Sequence, residues 1–227
     1  MITPRTTSLV RAANLRLFRR ALVRLARQGS PLDARDRLAD AVSAEAVFSG
    51  FSHAALNAAG ERLGLPRGEA ERLFPGGPLG ALSYISERAD ARTVESLEKA
   101  GVEQMKIRDR IRTAVRLRIE THGDPKEAVR RGLALLALPL NAPLGLKLLY
   151  RTVDAIWYAA GDTSADFNFY TKRATLAGVF SSTLFYWLND RSEGNEATWA
   201  FLDRRIDDVM RFEKFKGQFA KKAARRG

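Results

Sequence analysis

The chain has 227 residues, 45% of them apolar, which is enough to bury one sizeable core or two small ones. It has no cysteine, which excludes a disulfide framework, a thiolate metal site and a thiol nucleophile. The net charge of +12 is the size of a nucleic-acid signal but is unevenly placed: residues 1–30 hold seven Arg and no acid, residues 211–227 hold seven cations and Glu213, and residues 31–210 hold 24 cations against 25 acids.

Residues 1–30 form a basic amphipathic extension. Leu15, Phe18, Leu22 and Leu25 share one helical face, and Arg16, Arg20, Arg24 and Arg27 another. Arginines interrupt the segment throughout, so it does not span a membrane. Its Arg-rich, acid-free make-up fits either a mitochondrial transit peptide or an N-terminal extension.

From Leu32 onward the periodicity is helical and no apolar alternation of period two is sustained. The predicted fold class is all-α, a bundle of about nine to ten helices. Helices are predicted over Pro31 to Val47, Ser52 to Leu63, Pro66 to Phe74, Leu79 to Arg88, Ala91 to Gly101, Met105 to Thr121, Pro125 to Leu138, Ala142 to Ala160, Ala165 to Leu188 and Glu196 to Phe219. The Gly, Pro and polar residues of "GLP", "PGGP", "HGDP" and "RSEGN" supply the stops.

Two of the early helices, in "GFSHAALNAAGERLGLPRGEAERLF", have the outline of a helix-turn-helix, with Ser52 capping the first and Pro66 starting the second. A DNA-reading helix needs donors for base edges and cations for phosphates. Here Glu69 and Glu71 alternate with Arg67 and Arg72, which argues against DNA as a partner.

In "MKIRDRIRTAVRLRIE", Ile107, Ile111 and Val115 recur every fourth residue, with Arg108, Arg112 and Arg116 one step round. The Arg row reads as a solvated face paired with acids. From Gly132 to Leu146 no residue is charged, yet Pro139 and Pro143 break the run, which is too short to cross a bilayer. It suits either a core hairpin or the wall of a lipid cavity.

The segment "DFNFYTKRATLAGVF" opens a helix with two apolar lines. Phe169, Leu176, Phe180 and Trp187 fall within about 20° of one another on the helical wheel, a core stripe. Phe167, Tyr170, Ala174, Gly178, Ser181 and Phe185 form a second line with small residues at its middle, able to admit a neighbouring helix or an acyl or isoprenoid chain. Along the last helix, Trp199, Leu202, Ile206, Val209, Phe212, Phe215 and Phe219 follow three- and four-residue steps. Phe212, Phe215 and Phe219 with Lys214 and Lys216 suit a membrane surface, with the basic tail 217–227 beyond.

No catalytic constellation is present. His53 and His122 stand at a helix start and in a Gly-Asp-Pro turn, "PGGPLG" lacks the Lys-Ser/Thr of a phosphate loop, and no Glu-x-x-His exists to hold iron. Asp162 with Asp166, and Asp203 with Asp207, read as helix-start and salt-bridge acids rather than metal ligands.

The strings "WYAAGDTSADFNFYTKRATLAGVFSSTLFYWL" and "TWAFLDRRIDDVM" resemble the conserved C-terminal half of the ubiquinone (coenzyme Q) biosynthesis accessory family called Coq nine, and "FSGFSHAALNAAGERLGL" looks like its N-terminal helices. The resemblance covers about residues 31–216. It implies a fold like the tetracycline-repressor (TetR) family, often homodimeric, with a helix-turn-helix subdomain over 31–90 and a lipid-binding and dimerisation domain over 91–216. It also implies a non-enzymatic protein without a cofactor, which binds an isoprenoid quinone or phospholipid and presents it to the demethoxyubiquinone hydroxylase at a membrane surface.

By the same resemblance, the partner-binding motif carries over to Asp166, Phe167, Asn168, Phe169, Tyr170, Thr171, Lys172 and Arg173. Phe169 departs from the motif's usual Trp, and the wheel sets it in the core stripe. The implied lipid-binding residues are Leu135, Leu136, Leu138, Leu140, Leu144, Leu148, Trp157, Ala174, Gly178, Ser181 and Phe185. The expected location is the bacterial cytoplasm at the inner membrane, with the mitochondrial matrix as the alternative. The competing function is a ligand-responsive TetR-type DNA-binding regulator.

Overall fold

In the computed structural model the described residues are 31–120, 125–161 and 167–224, and among them every regular element is helical. In chain order these are α1 (Pro31–Ser49), α2 (His53–Arg62), α3 (Glu69–Leu73), α4 (Gly77–Lys99), a 3₁₀ turn (Val102–Gln104), α5 (Ile107–Glu120), α6 (Lys126–Leu136), α7 (Ala142–Ala159), α8 (Phe167–Asn189), a second 3₁₀ turn (Glu193–Asn195) and α9 (Glu196–Ala224).

The helices predicted over Leu79 to Arg88 and Ala91 to Gly101 are one continuous helix, α4. No Gly or Pro lies between residues 81 and 99 to stop it. Ala89, Asp90 and Thr93 are buried, so packing holds the stretch where the two were separated. The second helix of the helix-turn-helix is also shorter than expected. It starts at Glu69, not Pro66, because Gly68 is left-handed at φ 82° and breaks the turn that Pro66 opens.

Packing divides the chain into two units. One holds the described residues through Ala91 and those of Asp124–Gly145; the other holds Arg92–Gly123 and Leu146 onward, within the described residues. In the first pass of the chain the division falls between Ala91 and Arg92. Residues 124–145, assigned by sequence to the C-terminal domain, pack with the N-terminal helices.

In the first unit, Leu38, Ala39, Val42 and Ala46 of α1 recur at three- and four-residue steps and meet Leu56, Ala59, Ala70, Phe74, Ala81 and Ile85. The Ser52 hydroxyl accepts from the Ala55 N–H at 3.1 Å, the expected N-cap of α2. Charges tie α4 to α1. Arg88 pairs with Asp36 at 3.0 Å and with Asp40, and the Tyr84 hydroxyl donates to Asp36 at 2.9 Å. Arg35 lies over the Tyr84 ring at 4.3 Å and the Phe74 ring at 5.1 Å.

In the second unit, α9 packs against α8 and α5. Leu202 and Ile206 of α9, Val115 and Ile119 of α5, and Leu176, Phe180, Leu184 and Trp187 of α8 are buried. The Arg row of α5 behaves as a salt-bridged face: Arg112 meets Asp109 at 2.6 Å and Asp203 at 2.5 Å, and Arg116 meets Glu120 at 2.9 Å. Arg110 donates to the Ala160 carbonyl at 3.0 Å, satisfying the C-terminal end of α7. Asp190 closes the other end of the unit by accepting from the Thr198 hydroxyl at 2.5 Å and the Thr198 N–H at 2.8 Å. It also accepts from the Ser192 hydroxyl at 2.7 Å. Those hydroxyl bonds hold its carboxyl well below the usual range.

Candidate functional site

The candidate contact segment opens α8 and is braced by α7. Arg173 is buried, and its Nε donates to Asp154 Oδ1 of α7 at 2.6 Å. Its guanidinium carbon lies 3.3 Å from the centroid of the Phe169 ring, one helical turn back, and it also donates to the Phe169 carbonyl at 3.3 Å. Phe169 in turn meets the Tyr170 ring edge-on, with centroids 5.2 Å apart. The indole N–H of Trp157 donates to the Lys172 carbonyl at 3.1 Å, and the Lys172 ammonium lies 5.5 Å from the Trp157 ring centroid.

This geometry corrects part of the expected contact surface. Arg173 was read as a partner-facing cation, and it is an internal strut. Phe169, which the motif put outside and the wheel put inside, is half-buried under Arg173. Lys172 and Thr171 are half-buried as well, and Tyr170 is 64% exposed. Asp166 and the side chains of Phe167 and Asn168 lie outside the described residues, as do His122 and Asp162.

The two apolar lines of α8 separate cleanly. Leu176, Phe180 and Trp187 are buried, while Tyr170, Ala174, Gly178 and Phe185 are exposed and Ser181 is half-buried. A Cβ added at Gly178 would meet nothing within 4 Å. The second line is therefore a surface track with a bare centre rather than a lining.

The other predicted lipid contacts are distributed over both units. Leu135, Leu136, Leu138, Leu140 and Leu144 belong to the first unit; Leu148 and Trp157 belong to the second. Leu148 is buried, Leu135, Leu136, Leu144 and Trp157 are half-buried, and Leu138 and Leu140 are exposed. Leu138, Leu140, Ala174, Gly178 and Phe185 thus present their side chains to solvent.

The backbone of α9 continues to Ala224, past the predicted end at Phe219 and into the segment read as a basic tail. The side chains of Phe212, Lys214, Phe215, Lys216 and Phe219 lie outside the described residues. Among the described residues no helix is long and apolar enough to cross a membrane.

Helix α3, in the place of a DNA-reading helix, is five residues long. Glu69 takes both the Nε and NH2 of Arg72, at 2.7 and 2.6 Å, and its carboxyl is held below the ordinary value by that bond. The cation that would meet a phosphate is engaged by an acid of the same turn.

Two contributors were not visible in the sequence reading. Asp154 anchors Arg173 from 19 residues upstream, and Arg118 is buried at 2% exposure with its guanidinium 6.0 Å from the Phe180 ring. Neither has a local signal, since each depends on a different helix arriving at its position.

Residues 142–213, which take in α7, α8 and the described side chains of α9, match the COQ9 family model. This region is similar to COQ9-family sequence. The chain is 32% identical over 188 residues to "Ubiquinone biosynthesis protein COQ9, mitochondrial" of Drosophila melanogaster, covering 81% of this chain and 57% of that protein. The COQ9 proteins of Rattus norvegicus and Homo sapiens are 43% and 41% identical over 113 residues, which is 50% of this chain and 35% and 34% of theirs. The chain therefore spans between about a third and just over half of the length of these COQ9 relatives. In fold it is similar to a TetR transcriptional regulator from Nitrosomonas europaea, with a TM-score of 0.64 and 21% identity over 77% of this chain and 97% of the other. The TetR-like all-α architecture expected from the sequence is the one observed among the described residues.

Proposed function

We propose that the chain is a non-enzymatic accessory protein of ubiquinone biosynthesis. It binds an isoprenoid quinone or phospholipid at a membrane surface, needs no cofactor, and presents the quinone to the demethoxyubiquinone hydroxylase. The observation that carries this reading is the placement of the COQ9 match: it coincides with the helices that build the Asp154–Arg173–Phe169 brace and hold Tyr170 outward. An exposed aromatic on a rigid base is the usual form of a protein-binding anchor.

The physical need is clear. Each methylene withdrawn from water is worth about 0.8 kcal/mol, so a long isoprenoid tail does not leave a bilayer unaided. A carrier that shields part of the tail offsets much of that cost. The relatives are named mitochondrial, which is consistent with the mitochondrial matrix as the setting rather than the bacterial cytoplasm; in both the carrier works at an inner membrane. The bare track around Gly178 fits a helix of a second copy in a homodimer.

Binding of the purified chain to purified hydroxylase tests the presentation step. Saturable binding, weakened at least tenfold by Tyr170→Ala, is expected; no binding in detergent or with vesicles would overturn it. The likeness to a TetR regulator favours DNA binding as the competing reading. A salt-dependent DNA shift would support that reading, and the Glu69–Arg72 pairing argues against it.

A further inference from the structure

The turn between α6 and α7 holds apolar side chains out into solvent on an ordered frame. Leu140 is 95% exposed and Leu138 52% exposed, with Pro139 and Pro143 exposed beside them. Loops of this length ordinarily carry polar residues at the tip, because their backbone must bond to water. This one does not.

Its backbone is largely satisfied from within. The N–H groups of Ala137, Leu138, Asn141, Ala142 and Gly145 donate to Leu133, Leu135, Leu138, Leu138 and Asn141 carbonyls, respectively. The Asn141 side chain donates to the Leu135 carbonyl at 2.9 Å. Pro139 and Pro143 have no N–H to satisfy. The two helices close tightly on the turn, since a Cβ at Gly145 would stand 3.3 Å from the Leu136 Cβ. With most of its donors bonded or absent, the turn presents fewer backbone groups that an apolar medium would penalise.

The charges on the helices that flank it are mostly positive. Between residues 126 and 153 the cations Lys126, Arg130, Arg131, Lys147 and Arg151 are set against a single acid, Glu127, which pairs with both Arg130 and Arg131. Lys147 is exposed. An apolar tip with cations on its flanks complements an anionic lipid surface, with leucines among the acyl chains and cations at the headgroups.

We propose that the α6–α7 turn is a membrane-inserting tip for anionic bilayers, with Leu138 and Leu140 as its inserting residues. It is a lipid-surface contact separate from the C-terminal helix, and it does not depend on the carrier reading. In this role the tip of the uncharged run, Leu138 to Leu140, faces lipid, while Gly132 and Leu135 at its start pack on the first unit's core.

The absence of cysteine makes the test direct. Leu140→Cys, labelled with an environment-sensitive fluorophore in the full chain, is mixed with vesicles of phosphatidylcholine and phosphatidylglycerol in equal parts. The same label at Ala58→Cys, exposed on α2, is the control. Emission at residue 140 is expected to shift to the blue and brighten severalfold, and to be quenched by lipids spin-labelled along the acyl chain, with residue 58 unchanged. Leu140→Asp is expected to lower vesicle partition by roughly tenfold or more.

Vesicle binding with a silent residue 140 would overturn the tip while leaving the carrier reading intact. So would failure to bind vesicles at all, or a signal that follows protein concentration without lipid, which would indicate a second copy on the turn. Insertion at residue 140 by a chain that carries no quinone would uphold the tip and remove the carrier.

Discussion

The Arg173 guanidinium carbon lies over the Phe169 ring, 3.3 Å from its centroid, while its Nε is held 2.6 Å from Asp154. One buried cation thus fixes both the aromatic pair at the start of α8 and the approach of α8 to α7. Removing it leaves Asp154 without this partner and Phe169 without its cover. Arg173→Ala is expected to cost about 2 to 4 kcal/mol in urea unfolding. Arg173→Lys recovers only part, because an ammonium cannot both stack and fork.

Tyr170 should behave in the opposite way. Its ring is mostly in solvent, so Tyr170→Ala is expected to change stability by no more than about 0.5 kcal/mol while weakening hydroxylase capture. Phe169→Ala falls between the two, losing stability through the Arg173 stack and capture through Tyr170. Thermal melts run beside the binding assay separate these effects.

Much of this architecture is legible in the chain. The three- and four-residue spacing of Leu38, Val42 and Ala46, and of Leu202 and Ile206, marks the buried faces that are observed, and Ser52 announces its cap. The two apolar lines of α8 are legible too. The line of larger side chains, Leu176, Phe180 and Trp187, reads as the core stripe and is the one buried. The fate of Arg173 is hidden: adjacent Lys172 and Arg173 look alike in sequence, and only Asp154 on another helix draws one of them inward. The continuity of α4 is hidden as well, because the partners of Arg88 and the burial of Asp90 in its middle are tertiary facts.

Two glycines should respond to the same substitution with opposite signs. Gly178 sits within α8 with open space where a Cβ would go, so Gly178→Ala is expected to stabilise by roughly 0.5 to 1 kcal/mol. Gly178→Arg should leave the fold intact and, if a second copy covers the track, shift the protein to monomers in sedimentation.

Gly132 is buried in α6, where a Cβ would come within 3.0 Å of Leu82 Cδ1 and 3.3 Å of Phe51 Cε2. Gly132→Ala therefore overpacks the first unit, and a loss of about 1 to 2 kcal/mol is expected in the denaturation midpoint.

Tyr84 supplies a pH signature for the first unit. Burial first, and its hydrogen bond to Asp36 second, push its phenol up from 10.0 to about 12. The folded value lies above the unfolded one. The Tyr84 contribution to stability is therefore complete below the unfolded value and is lost as pH rises toward about 12. Ultraviolet titration should show one tyrosine ionising late, and Tyr84→Phe should remove that step.

The central claim is that this chain carries an isoprenoid lipid, and mass spectrometry of the organic extract from the purified full chain tests it most directly. A quinone or its biosynthetic precursor, recovered in stoichiometric proportion and absent from a control protein purified alongside, is the predicted result. A chain that emerges free of isoprenoid lipid, and acquires none when incubated with quinone-loaded vesicles, would contradict it.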